Sequence, residues 1–315
     1  MSRKVIIDCD PGIDDAIALM IALFDPRLDV VAVTSTAGNV NAEQAYTNLQ
    51  ALIEFLDPPR RPRIGMGPGP RSAPPVDSTF LHGSDGLAEL HLDVAKLHQT
   101  HPAEKLISDK VREFPEEITL LCLGPVTNIA NCLQRDPTFA SQVGQIVMMG
   151  GSLNGIGNVT PCAEFNCHFD AESARRVFHS KTTKTLVPLD VTSQVTFAID
   201  LLDHIPKAES RATHILNHIL PFSFRSHRRH LAQEGISLND AVALVALLQP
   251  ELFESVPMAG DVETQGDLTL GATIFDQRTV KTWTKNMEVM TSVDAASVKD
   301  CILRGIILAA KETAT

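Results

Sequence analysis

Positive charge is what this chain has least of. Its 27 lysines and arginines face 38 aspartates and glutamates, a formal net charge of -11. Nucleic acids and anionic membranes are bound by basic patches, so neither is expected as a partner. Long hydrophobic runs are also lacking. No apolar stretch reaches 18 residues, and no signal peptide precedes the first strand-like run, which begins at Val5. The expectation is a cytoplasmic protein without a membrane span. Cysteine pairs are missing as well. Cys9, Cys122, Cys132, Cys162, Cys167 and Cys301 are scattered, and although four residues separate Cys162 from Cys167, no second pair completes a zinc-type spacing. Several lie in apolar runs and read as small buried hydrophobes. No internal repeat or low-complexity tract is visible.

What remains is ordinary for a globular protein: 44% hydrophobic and 21% charged residues in a length of 315, within reach of one large α/β domain covering 1–315. Strand-like and helix-like segments alternate. Strands are expected at 5–9, 29–36, 117–124, 145–151 and 184–191, with helices starting near Ile13 and over 41–55, 127–133 and 171–179. Residues 200–231 look helical and rich in His and Arg, a further helix spans 240–248, and 256–293 has β and turn character before a terminal helix from about Ser297. The Pro-rich stretch 57–75 reads as a surface loop around one short strand. Continuous apolar strands alternating with helices specify a mostly parallel, Rossmann-like open sheet covered on both faces, with a C-terminal helical and β elaboration.

The chain is organised around residues 5–19, VIIDCDPGIDDAIAL. A buried strand is broken by Pro11 and Gly12, and a helical pattern begins at once. Between them lie four carboxylates within eight residues: Asp8, Asp10, Asp14 and Asp15. Carboxylates this close repel, and a hard dication with oxygen ligands is the usual remedy. Asp14 or Asp15 could instead cap the helix, which accounts for one or two of the four but not for the set. The other notable residues also follow strands: Gly38 and Asn39, Leu123 to Asn128, Gly150 to Asn166. In an open parallel sheet, that is where ligands collect.

These segments resemble the nucleoside hydrolase family of the inosine–uridine-preferring type. DCDPGIDDA carries the likeness most specifically. TAGN (36–39), HGSDGL (82–87), LGPVTNIA (123–130), MMGGS (148–152), AEFN (163–166) and NDA (239–241) continue it in order over roughly residues 4–245. The resemblance implies Ca²⁺-dependent hydrolysis of the N-glycosidic bond of ribonucleosides to ribose and free base, in nucleoside catabolism and salvage, by a homodimer or homotetramer. It also implies roles. Asp10, Asp15 and Asp240 match the calcium carboxylates and Leu123 the carbonyl ligand, and Asp10 matches the base that activates water. Asp14, Asn39, Asn158, Glu164 and Asn166 match ribose contacts, Met149 lines the sugar's other face, and His82 lies near the base pocket. Several of these have plainer readings: Asn39 and Asn158 as turn residues, Asp240 as a helix cap. Thr127 and Asn128 resemble helix-cap chemistry and are read as structural.

One position departs from the pattern. Where well-studied relatives carry a histidine before the last calcium aspartate, this chain has Asn239, which can hydrogen-bond a departing base but has no proton to give near neutral pH. Upstream, SFRSHRRHLAQEG (223–235) offers His227 and His230 as replacement acids, or equally as part of a solvated basic helix face. With one tryptophan, Trp283, and one tyrosine, Tyr46, stacking of the base on aromatics is not expected, and Trp283 reads as core. Two alternatives stay open: a nucleoside- or ribose-binding protein that kept the metal cup and lost the acid, and, ranked lower, a metal-dependent phosphatase suggested by the Asp-x-Asp that ends the first strand.

Overall fold

The computed structural model describes residues 2–70, 73–74, 76–94 and 100–314. Its strands, in chain order, are β1 (Arg3–Cys9), β2 (Leu28–Ser35), β3 (Arg63–Met66), β4 (Thr119–Cys122), β5 (Gln145–Met149), β6 (Lys184–Val187), β7 (Thr196–Phe197), β8 (Ile236–Ser237), β9 (Phe253–Met258), β10 (Gly260–Val262), β11 (Thr273–Phe275) and β12 (Met287–Val293). Eight of them form one sheet in the order β3-β2-β1-β4-β5-β6-β12-β9. Every pairing is parallel except β12 with β9 at one edge. The order over the first six strands is that of a doubly wound dinucleotide-binding sheet, whose direction of winding reverses between β1 and β4.

Strand side chains alternate between faces, and here both faces are buried. Ile7 pairs with Val33 and Leu121, and Leu121 with Val147. This row packs into a core shared with helices Ile13–Phe24, Ala42–Leu56, Arg211–Ser226, Asn239–Leu248 and Ala295–Glu312. The next row, Ile6 with Ala32 and Leu120, and Leu120 with Ile146, faces the opposite core under helices Ala103–Glu113, Thr127–Arg135 and Ala171–His179. Cys9, Cys122, Cys132 and Cys167 are buried among these residues as expected, whereas Cys162 and Cys301 are only partly covered.

The structure corrects the sequence reading in places. The strand expected over 184–191 stops at Val187 because Pro188 cannot continue the ladder, and a short helix, Leu189–Thr192, follows. The helix expected over 200–231 is three pieces: Leu201–His204, Arg211–Ser226 and a π-helical turn, His227–Leu231, that ends on Ala232 in the left-handed conformation at φ 54°. Helix Ala103–Glu113 was not anticipated, and its mean hydropathy is the reason: only Ala103, Leu106, Ile107 and Val111 are buried. The Pro-rich stretch does surround a short strand, β3, although Arg71, Ser72 and Pro75 lie outside the described residues. Trp283 is not core. It is 45% exposed, on a loop organised by the Asp276 carboxylate, which accepts from the backbone N–H groups of Thr282 and Trp283 and from Arg278.

The C-terminal elaboration is fastened to the main sheet by two polar side chains, the buried Lys184 and the half-buried Asn286. The Lys184 ammonium, on β6, donates to the carbonyls of Ser180, Thr182 and Asn286. The Asn286 amide in turn donates to Phe178 O and Gly260 O and accepts from Gly260 N–H. Lys184→Met would keep the packing of the side-chain stem and strand three carbonyls. An equilibrium denaturation experiment should show a loss of about 2–3 kcal/mol, because hydrogen bonds to charged groups are the stronger kind.

Candidate active site

The carboxyl ends of β1 and β4 open into a cavity of about 570 Å³. Its floor is acidic. After Cys9 the chain turns through Asp10, Pro11 and Gly12 into helix Ile13–Phe24, which places Asp14 and Asp15 in its first turn. Asp15 does act in the helix start, as the plainer reading supposed: its Oδ2 accepts from Gly12 N–H at 3.0 Å and its Oδ1 from Asp10 N–H at 3.3 Å. Asp240, in the first turn of helix Asn239–Leu248, arrives from the far end of the chain, and carboxylate oxygens of Asp14, Asp15 and Asp240 lie within 4.8 Å of one another. Asp10, Asp15 and Asp240 are at most 4% exposed.

Among the described residues no lysine or arginine pairs with any of the four. Burial, and then the charge of the neighbouring acids, pushes Asp10 and Asp240 well above the usual carboxylate range. Burial likewise lifts Asp14 and Asp15 to about 6. A set of oxygen donors this crowded and this dry fits a hard divalent cation. The Leu123 carbonyl, at the end of β4, stands beside it and accepts from the Asn166 amide at 2.7 Å, leaving a second lone pair.

Around the floor the side chains are held rather than free. Asn39 N–H donates to Asp10 Oδ2 at 2.7 Å, while its amide reaches Asp10 O and Asp15 Oδ2, both at 3.3 Å. Asn39 and Asn158 both lie in bends, but neither has a positive φ, so neither is there to supply a left-handed turn. Glu164 caps the short helix Phe165–Phe169: Oε1 accepts from Asn166 N–H, and Oε2 from Cys167 and Gly151 N–H. Burial raises its pKa against those three donors. Asn158 Oδ1 accepts from Phe165 N–H, and Met149, ending β5, forms part of the wall.

Thr127 and Asn128 make no helix cap. Thr127 donates to Asp170, and the Asn128 amide donates to Asp8 Oδ1 at 2.8 Å and Ser35 O at 3.0 Å, tying the helix that follows β4 to β1 and β2 beneath the floor.

Beside the floor, His82 Nδ1 accepts from Ile13 N–H at 3.1 Å, and burial pushes the imidazole down to about 4. His227 and Asn239 also line the cavity, with Ser223, Gln233 and Ser237, which the sequence reading passed over. Isolated hydroxyls and a lone amide give no periodic or motif signal. His230 does not line the cavity; its ring leans on Phe80, centroids 5.5 Å apart.

A doubly wound sheet with an acidic, oxygen-rich cup at its winding reversal, ringed by amides, offers a hard cation and a polyol a common site. Comparison with known proteins makes this specific. The profile of the inosine-uridine preferring nucleoside hydrolase family matches residues 5–300. Uridine nucleosidase 1 of Arabidopsis thaliana is 34% identical over 283 residues, 89% of this chain and 84% of that protein. The pyrimidine-specific ribonucleoside hydrolase RihA of Escherichia coli is 34% identical over 304 residues, 96% and 97% of the two chains. Among solved structures, the plant nucleoside hydrolase PpNRh1 superposes with a TM-score of 0.88 at 33% identity, covering 97% of this chain and 99% of that one. A purine-preferring ribonucleoside hydrolase from Gardnerella vaginalis gives 0.90 at 27% identity, covering 98% and 100%. The chain belongs to the inosine–uridine preferring nucleoside hydrolase family. It is an N-glycosidase that cleaves ribonucleosides.

Two glycines press on Asp10. A Cβ on Gly38 would stand 2.0 Å from Asp10 Oδ2, and one on Gly124 would stand 2.3 Å from Oδ1. Gly124→Ala should therefore turn the carboxylate aside without unfolding the chain. Should this carboxylate take part in the reaction, the expected outcome is a loss of nucleoside cleavage of about a hundredfold with the thermal transition nearly unchanged, an ångström's misplacement at a reaction centre having effects of that order.

Proposed function

We propose that this enzyme works with Ca²⁺ held by the carboxylates of Asp10, Asp15 and Asp240 and the carbonyl of Leu123, and that Asp10 removes the proton from the attacking water. The observation that carries this reading is the buried cup of carboxylates with no cationic side chain against it. Bound there, the ion neutralises the cup, offers positions for sugar hydroxyls and acidifies a water molecule. Asp14, Asn39, Asn158 and Asn166 pair the ribose hydroxyls, and Met149 covers the other face of the sugar. Glu164, held by three backbone N–H groups, places its charge beside the carbon that becomes positive as the bond to the base breaks.

For the departing base, His82 is better suited than His227 or His230. Its Nδ1 is occupied as an acceptor, so the proton sits on Nε2, which is free to donate. Asn239 adds an amide. This is hydrogen bonding to the leaving group rather than delivery of a proton from a charged imidazole. A phosphatase reading is disfavoured by the cavity wall, which contains no lysine among the described residues. The relatives whose names specify uridine or pyrimidine share 34% identity, against 27% for the purine-preferring structure, so pyrimidine ribonucleosides are the substrates of choice. A cytoplasmic homodimer or homotetramer in nucleoside salvage completes the reading.

Reducing-sugar release from uridine tests it. Activity should disappear after chelation and return with Ca²⁺, and Asp10→Asn should lose on the order of a hundred- to ten-thousandfold in kcat. Full activity in chelator would overturn the metal assignment. His82→Ala should slow uridine cleavage far more than cleavage of p-nitrophenyl riboside, whose leaving group needs no hydrogen bond. Equal losses on the two substrates would remove His82 from that role.

A further inference from the structure

The base end of the cavity carries two imidazoles whose tautomers are fixed by their backbone partners, and fixed oppositely. His82 Nδ1 faces a backbone N–H, that of Ile13 at 3.1 Å, so it must be the bare nitrogen and Nε2 carries the hydrogen. His227 Nδ1 faces a backbone carbonyl, that of Ser223 at 2.9 Å, so it must carry the hydrogen, and Nε2 is the bare nitrogen. Both rings line the same cavity, and they are near enough for the charge of one to act on the other. Burial lowers the pKa of both, which keeps them neutral.

The other polar groups at this end adapt to what they meet. Ser223 and Ser237 hydroxyls rotate, and the Gln233 and Asn239 amides can present either C=O or N–H. His82 and His227 offer one polarity each, and a third histidine of the cavity wall, His168, is fixed like His227, with Nδ1 at the Leu270 carbonyl 2.9 Å away.

Resting on the hydrolase reading above, we propose that His227 is a specificity residue that accepts a hydrogen bond from a ring N–H of the base, so that this enzyme selects nucleosides of the uracil type over those of the cytosine type. Uracil and cytosine share the O2 acceptor that His82 Nε2–H would meet. They differ at N3, which is an N–H in uracil and a lone pair in cytosine. Against the lone pair of His227 Nε2, cytosine sets a second lone pair, and neither atom then has a partner. A site built around a hydrogen bond rejects the analogue that lacks it more sharply than an apolar pocket rejects a wrong shape.

The test compares kcat/KM for uridine, cytidine and 3-methyluridine in the full-length enzyme loaded with Ca²⁺, and again in His227→Gln. The wild type should prefer uridine to both others by about tenfold or more. In His227→Gln the uridine-to-cytidine ratio should fall toward one, because the glutamine amide can turn over to donate to N3 of cytosine. A general structural role for His227 would slow both substrates alike and leave the ratio where it was, and that result would overturn the proposal. So would a wild type that cleaves cytidine as readily as uridine, or one that cleaves purine ribonucleosides and leaves both pyrimidine substrates intact; each of these leaves the hydrolase reading standing. Absence of cleavage of every ribonucleoside would overturn the hydrolase reading and this proposal with it.

Discussion

The mutual repulsion of Asp10, Asp14, Asp15 and Asp240 is the constraint on which the rest of the structure depends. Burial raises the pKa of all four, and for Asp10, Asp15 and Asp240 the neighbouring charges add to it, so an arrangement that keeps them in one cup works against the folded state unless a cation is present. The surrounding architecture absorbs that stress locally. Backbone N–H groups of Gly12, Asp10 and Asn39 point at the carboxylates, and glycines at 38 and 124 allow the main chain to pass against both oxygens of Asp10. Beneath them, the Asn128 amide joins the ends of β1 and β2. The acidity that a globular core would ordinarily exclude is thereby concentrated where a divalent ion and a polyol can both reach it.

The sheet explains why the cup stands where it does. In a doubly wound sheet the loops after β1 and β4 diverge, leaving a crevice that no crossover helix fills. Asp10 and Leu123 end those two strands, Asn39 and Met149 follow or end their neighbours, and the helix starts at Ile13 and Asn239 supply the remaining carboxylates. The two hydrophobic cores above and below hold these ends rigid, so the loops can carry polar residues without needing to be stable by themselves.

The sequence made the central part of this legible because its signals are local. A buried strand, a Pro-Gly break and an acidic helix start lie within fifteen residues, and apolar strands alternating with helices imply the sheet. What was not legible depends on contacts between distant segments. Helix Ala103–Glu113 buries too few residues to stand out from a polar background. Thr127 and Asn128 occupy cap-like positions, yet their side chains are drawn off to Asp170 and Asp8 by tertiary geometry. Trp283 has the composition of a core residue, and only the loop built on Asp276 turns it outward. His227 and His230 looked equivalent in a basic run; the π-helical turn separates them, leaving the first on the cavity wall and the second against Phe80.

The placement of Asp240 bears on how the molecule comes into being. As the chain leaves the ribosome, Asp10, Asp14 and Asp15 emerge first and remain an incomplete set through most of translation. The last carboxylate arrives only after six of the eight strands of the main sheet have been synthesised. An N-terminal fragment therefore has the crowding of the cup without its closing ligand.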